Sequence, residues 1–208
     1  LMHLRQLLKR TAVMLWQEGK RLPAPRRAPV TLAHMTNTML VPVMSFINCT
    51  MDWEWKYGYE DFQDRFPPDL TVAETIGRQV GAWPTILAGG HWDKNDPRGD
   101  FMFRTRLGVC LTHESQAFDH GPARDQELYG RLFALGYGRP ECRVFNYWEE
   151  GHPVRVEGLK ACTLAFACGP RGGVVVTDYG GGGTGRVRLD LARLGLPADV
   201  QAVDLESG

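Results

Sequence analysis

The sequence lacks an excess of charge of either sign. Of its 208 residues, 24 are lysine or arginine and 24 are aspartate or glutamate, so the formal net charge is zero. Proteins that bind nucleic acid or an anionic membrane surface attract the phosphate groups with a positive surface field. The charge balance gives no support to such a partner, and we expect neither nucleic acid nor a membrane to be bound.

Long apolar runs and Cys-x-x-Cys pairs are also missing, and no signal peptide is visible in the residues given. No apolar stretch approaches the ~20 residues of a membrane-spanning helix, so no span is predicted. The five cysteines are odd in number and form no Cys-x-x-Cys pair, which disfavours a disulfide scaffold or zinc knuckle and favours buried thiols. The chain begins at Leu1 inside a helical pattern, and we interpret it as an internal piece of a longer protein. This interpretation leaves open a periplasmic, secreted or cytoplasmic location, as well as the oligomeric state.

Two loops that could suggest a ligand lack the necessary motif. The glycine run GGGGTG (180–185) has no Lys-Ser/Thr of a phosphate-binding loop and precedes a strand-like run, so a hairpin turn is predicted. The acidic loop that starts at Asp93 fails as a calcium-binding EF-hand, because Pro97 and Arg98 occupy its fifth and sixth positions. No metal site and no cofactor are therefore predicted.

The hydrophobic pattern divides the chain near residue 140. Before this point helical and strand patterns alternate, which is typical of a parallel α/β sheet or barrel. After it, short strand-like runs separated by glycine turns indicate an antiparallel sandwich or barrel. The predicted fold class is therefore α/β followed by all-β. The predicted helices cover 2–18, 71–81, 101–114 and 125–135, and the predicted strands of the first part cover 30–35, the second half of 41–55, and 83–90.

Helix ends are predicted from residues that cap or stop helices. Gly19 and Gly136 are expected to end the first and the last of the predicted helices. Thr71 with Glu74 three residues later matches a capping box, and Asp100 is the expected N-cap of the third helix.

The segment MDWEWKYG (51–58) places two carboxylates among aromatic residues. On an extended strand Asp52 and Glu54 would project to one side, about 7 Å apart at their Cα atoms, with Trp53 and Trp55 on the other. Glycosidases use carboxyl pairs ~5 to ~9.5 Å apart, one protonating the leaving oxygen and one acting as nucleophile or base. We therefore predict Asp52 and Glu54 as catalytic acids. The alternative is a strand-end pair that forms ion pairs with basic neighbours.

Further polar and aromatic residues follow the predicted strands. In a parallel barrel, function gathers at the carboxyl ends of the strands. A histidine there can hydrogen-bond sugar hydroxyls, and aromatic faces can stack on pyranose rings. A core histidine is the alternative at position 34, and a packed loop tryptophan is the alternative at position 92. The predicted substrate-binding residues are His34, Asn37, Trp55, His91, Trp92 and Asp93.

Four segments together resemble a known family of microbial glycosidases. They are HMTNTMLVPVMSF, MDWEWKYG, TIGRQVGAWPTILAGG and the closing LGLPADVQAVDLESG. The chain resembles the glycoside hydrolase family 123-like group, whose members join a (β/α)8 barrel to β-sandwich domains. The resemblance implies that residues 1–140 form the C-terminal part of a (β/α)8 TIM barrel and that residues 141–208 form a truncated antiparallel β-sandwich domain.

The resemblance also implies hydrolysis of O-glycosidic bonds in a carbohydrate substrate. The family uses an adjacent Asp-Glu pair on a barrel strand, whereas this chain contains no Asp-Glu dipeptide. The catalytic pair is therefore either Asp52 with Glu54 or a pair upstream of this chain, in which case these two acids bind substrate. A non-catalytic carbohydrate-binding fragment and a structural scaffold are the alternative functions.

Overall fold

The computed structural model describes residues 2–23, 29–34, 45–54, 62–74, 82–87, 99–118 and 124–207. The helices in these ranges are α1 (Met2–Arg21), α2 (Phe62–Arg65), α3 (Pro68–Glu74), α4 (Gly99–Thr112), α5 (Arg124–Ala134) and α6 (Leu191–Leu194). The strands are β1 (Leu32–His34), β2 (Cys49–Glu54), β3 (Trp83–Leu87), β4 (Gln116–Phe118), β5 (Arg143–Asn146), β6 (Val154–Glu157), β7 (Ala161–Cys168), β8 (Arg171–Asp178) and β9 (Arg186–Leu189). None of these helices is both long and apolar enough to cross a bilayer.

The first four strands form one parallel sheet in chain order, β1-β2-β3-β4. Parallel neighbours require a crossover between them, which explains the alternation of helix and strand in the sequence. The prediction of an α/β first part with a parallel sheet is confirmed. The described strands do not close into a barrel. β4 was not predicted, because its three residues are too few to show a period.

One face of the parallel sheet is covered by α4. Val109 and Cys110 of this helix pack with Ile86 of β3 and Ala117 of β4, and Phe66 completes the cluster. All five side chains are buried. This apolar contact fixes α4 against the two later strands of the sheet.

The remaining strands form two antiparallel sheets, β5-β7-β8 and β6-β9. β7 is the central strand of the larger sheet, and its six middle residues are buried, which accounts for the continuous apolar run CTLAFAC. The predicted hairpin at 180–185 is wrong, because this segment joins β8 to β9 and these strands belong to different sheets. Its start is held instead by Asp178, whose carboxylate accepts from the amides of Gly180 and Gly182.

Residues on both sides of position 140 share one hydrophobic cluster. Leu107 and Leu111 of α4 pack with Leu132 of α5, and with Leu164 and Phe166 of β7. The larger antiparallel sheet therefore rests directly on the helices of the α/β part.

One of the two predicted helix C-termini is confirmed and the other is wrong. α5 ends as predicted at Gly136, whose amide donates to Phe133 while the Tyr137 amide donates to Leu132, the pattern of a Schellman cap. The prediction at Gly19 is wrong, because α1 continues to Arg21. An interior glycine costs a helix only about 1 kcal/mol, and the proline at position 23 disfavours a longer helix.

Two predicted N-caps lie inside helices. Thr71 is in the middle of α3, and its hydroxyl donates to the carbonyl of Pro67 four residues earlier. α3 begins at Pro68, a residue suited to the first helical position because its missing N–H would have no partner there. Asp100 is likewise the second residue of α4 rather than its cap. The strand-like run at 200–208, the last of those after residue 140, does not form a strand, since residues 201–204 have no regular structure.

Candidate functional site

The carboxyl ends of β1, β2 and β3 meet at one edge of the parallel sheet. His34, the last residue of β1, lies opposite Met51 of β2. β2 continues for three more residues, and its last residue, Glu54, lies opposite Leu87 at the end of β3. The structure therefore brings the backbone positions of His34, Asp52 and Glu54 to the same edge of two neighbouring strands.

Asp52 occupies an irregular position in β2. Met51 pairs with Thr85 and Trp53 pairs with Ile86, so Asp52 is one extra residue on β2 relative to β3. Such a β-bulge breaks the strict alternation of a strand and bends it locally. The prediction for Asp52 and Glu54 assumed a regular strand between them. That assumption does not hold here, because the bulge lies between Met51 and Trp53. Bulges of this kind are over-represented beside active sites, where they redirect a side chain.

Of the six predicted substrate-binding residues, the structure describes only His34. His34 is exposed, which argues against the core-histidine alternative and leaves its imidazole accessible at the edge of the sheet. Five predicted substrate-binding residues lie outside the described residues: Asn37, Trp55, His91, Trp92 and Asp93.

Hydrogen bonds at the opposite end of these strands set their register. The Asn48 side-chain oxygen accepts from the Thr31 amide at 2.9 Å, and the Asn48 amide donates to the Thr31 carbonyl at 2.9 Å. The Asn48 carbonyl accepts from the Trp83 amide at 2.7 Å. Thr31, Asn48 and Trp83 thus align the starts of β1, β2 and β3, and this alignment places the three carboxyl ends side by side.

A second polar cluster, which the sequence did not predict, lies at the amino edge of β4. His113 follows α4, and its ring contacts Tyr147 edge-on and stacks on Trp148, with centroids 5.6 and 5.8 Å away. The Asn146 side chain donates to Glu114 at 3.2 Å and to Glu149 at 3.3 Å. The segment FNYWEEG mixes aromatic and acidic residues as MDWEWKYG does. This composition is the sequence feature from which the second cluster could have been predicted. Among the described residues, no three His, Cys, Asp or Glu side chains converge as a metal site would require.

The hydrogen bonds of His113 determine its tautomer. Nδ1 lies 2.7 Å from the Val109 carbonyl, which can only accept, so Nδ1 carries the proton. Nε2 then accepts from the Tyr147 hydroxyl at 3.0 Å. His113 is 1% exposed, and burial lowers its pKa. Burial also raises the pKa of Tyr147. The pair is therefore held neutral, which suits a buried contact between the two parts of the chain.

Stability is expected to fall as the pH drops below the ordinary pKa of histidine, about 6.5. The unfolded chain takes up a proton near this pH, whereas the folded chain does so only at lower pH because burial lowers the pKa of His113. Between these two pKa values the free energy of unfolding should decrease by up to about 1.4 kcal/mol per pH unit as the pH falls. The effect is absent above the unfolded pKa.

Urea unfolding between about pH 8 and pH 5 measures this effect in the unaltered protein and in His113→Gln. Burial also lowers the pKa of His152, so the variant should show a smaller pH dependence rather than none. Identical pH dependences in the two proteins would contradict a role for His113.

A cavity of about 1180 Å³ lies away from the carboxyl edge of the parallel sheet. It is bounded by α4, β8 and the C-terminal segment, and apolar side chains such as Leu111, Val175 and Leu196 line it. Its lining includes no described residue of β1, β2 or β3. The cavity is therefore separate from the candidate site at the strand ends.

The candidate site consequently rests on the chain's own geometry: an exposed histidine and two acids at the ends of adjacent parallel strands, one acid at a bulge. Comparisons with known proteins add nothing to this geometry. No family model, no curated protein and no solved structure matches the chain.

Proposed function

We propose that the chain is part of a glycoside hydrolase that cleaves O-glycosidic bonds in a carbohydrate substrate. In this proposal the parallel sheet belongs to a (β/α)8 barrel, and the two antiparallel sheets belong to a β-sandwich domain. One observation carries the proposal: β1 and β2 are adjacent and parallel, and their carboxyl ends hold His34, Asp52 and Glu54. This edge is where barrel enzymes assemble their active sites.

The proposed chemistry assigns complementary roles to the two acids. One carboxyl group stays protonated at the working pH and donates its proton to the leaving oxygen. The other is ionised and either attacks the anomeric carbon or activates a water molecule. Asp52 and Glu54 occupy different backbone positions, a bulge and a strand end, which suits two acids with different roles.

His34 has a supporting role in this proposal. It is exposed at the end of β1, beside the strand that carries both acids. Its imidazole can donate a hydrogen bond to a sugar hydroxyl or to an ionised carboxylate. The aromatic residues of the segments after β2 and β3 would supply the apolar faces that pyranose rings require.

A combined turnover and binding experiment tests the proposed function. The protein is incubated with a panel of nitrophenyl glycosides, and the binding of the matching free sugars is measured by calorimetry. Hydrolysis is expected for at least one glycoside, and the Asp52→Asn/Glu54→Gln double variant provides the background rate. Sugar binding without turnover would replace hydrolysis by carbohydrate binding as the function. If the protein neither binds any of the sugars nor hydrolyses any of the glycosides, the proposal is overturned.

A further inference from the structure

Two of the five cysteines lie at the same end of two paired strands of the larger antiparallel sheet, Cys142 just before β5 and Cys168 at the end of β7. Arg143, the first residue of β5, pairs with Ala167 of β7. Cys142 directly precedes β5, and continuing the same register by one residue brings it opposite Cys168, the last residue of β7. Directly opposed residues of antiparallel strands have Cα atoms about 4.5 or 5.5 Å apart. Both separations fall within the range of about 4.4–6.8 Å that a disulfide requires.

The side chains of this pair are also close to each other. After burial, the nearby Cys168 thiol is the next cause that raises the pKa of Cys142. Gly136 covers the Cys168 sulfur so closely that a Cβ built on this glycine would lie 2.4 Å from it. Both cysteines are half-buried and both are free thiols in the structure. The two thiols therefore lie on neighbouring segments of the sheet, and neither is fully buried, so a small reagent can reach them.

The other three cysteines have different surroundings. Cys110 and Cys162 are buried at 0% and 6% exposure. Cys49 belongs to β2 in the parallel sheet. We propose that Cys142 and Cys168 form a reversible cross-strand disulfide through exchange with a low-molecular-weight disulfide such as oxidised glutathione. The link joins the turn before β5 to the hairpin between β7 and β8.

The proposed reaction is two successive thiol–disulfide exchanges. The thiolate of one cysteine attacks a glutathione sulfur, which breaks the glutathione disulfide and releases one reduced glutathione. The thiolate of the other cysteine then attacks the mixed disulfide and releases the second reduced glutathione. The two protein thiols lose two electrons and two protons in total. The two glutathione thiols that form take up these electrons and protons.

The rate of this exchange should increase with pH. Burial, and next the neighbouring Cys168, raises the pKa of Cys142 to about 11. Only the thiolate attacks, so the fraction of reactive Cys142 rises about tenfold per pH unit well below that value.

Mass spectrometry of the whole chain tests the proposal. The reduced protein is equilibrated with oxidised and reduced glutathione, denatured, and treated with N-ethylmaleimide. The expected product has lost two hydrogens and accepts two fewer maleimides than the reduced chain, and proteolysis yields a peptide pair joined at Cys142 and Cys168. Dithiothreitol should restore all five reactive thiols.

Three serine variants control the assignment. Cys49→Ser leaves the pair intact and should still form the disulfide, whereas Cys142→Ser and Cys168→Ser should each form none. A wild-type chain that keeps all its reactive thiols would overturn the proposal. A chain that carries only glutathione mixed disulfides, or that links Cys110 to Cys162, would also overturn it. The outcomes that would overturn the proposal are measured on the unaltered chain, so they hold even if a variant fails to fold.

Discussion

Replacing Asp52 by asparagine, or Glu54 by glutamine, is expected to lower kcat of the proposed glycosidase by about 10²–10⁴-fold. Each amide keeps the size of the acid but can neither release a proton nor carry the negative charge that the reaction requires. kcat and KM should be measured with the best nitrophenyl glycoside found for the unaltered protein. A loss mainly in kcat indicates that the acid takes part in the chemistry.

The same measurement separates the two roles that the acids could have. If the catalytic pair lies elsewhere and Asp52 and Glu54 only bind the sugar, KM should rise while kcat changes little. Asp64→Asn and Glu141→Gln are matched controls, because both acids are exposed and neither lies on the parallel sheet. Thermal unfolding by circular dichroism should be unchanged in every Asp52 and Glu54 variant. A folded Asp52→Asn protein with unchanged kcat and KM would exclude Asp52 from the site.

Much of the fold could be predicted because local sequence and tertiary packing agree. The runs around β2, β3 and β7 are apolar and rich in β-branched or aromatic residues, and each forms the predicted strand. Gly136 ends α5 as predicted, because its left-handed backbone at φ 107° satisfies the cap without the cost of a side chain.

The incorrect predictions have local and long-range causes. Thr71 resembles an N-cap, yet α3 starts earlier and buries Thr71 completely. The glycine run after β8 resembles a hairpin, yet β9 pairs with β6 rather than with β8. No local pattern contains the information that decides which strand β9 pairs with, because that choice depends on the packing of residues far apart in the sequence.

The candidate site shows the same division between local and long-range information. The positions of His34, Asp52 and Glu54 at strand ends follow from local patterns. The bulge at Asp52 depends on the register between β2 and β3, which a single strand sequence does not encode. The contact between His113 and Tyr147 joins residues 34 positions apart, and the Cys142–Cys168 pair depends likewise on the register of β5 and β7.

Gly108→Ala is expected to destabilise the protein even though alanine favours helices. Gly108 belongs to α4, where the helix approaches β8. A Cβ at this position would lie 2.6 Å from Oγ1 and 2.8 Å from Cγ2 of Thr177, a side chain that is itself buried. Overpacking of this kind costs about 1–3 kcal/mol, because the surrounding groups must shift. The helix-propensity gain of about 1 kcal/mol offsets only part of this cost.

Gly130→Ala is the matched control that isolates the contact. Gly130 lies in α5, is exposed, and a Cβ built on it would meet no atom within 4 Å. This variant should gain about 0.5–1 kcal/mol from helix propensity alone. Because the propensity change is common to both variants, their difference in free energy of unfolding, about 1–3 kcal/mol in urea titrations, measures the clash with Thr177. Equal stabilisation by both substitutions would mean that α4 does not rest on β8 at Gly108, and that the antiparallel sheet is not packed against the α/β part in this way.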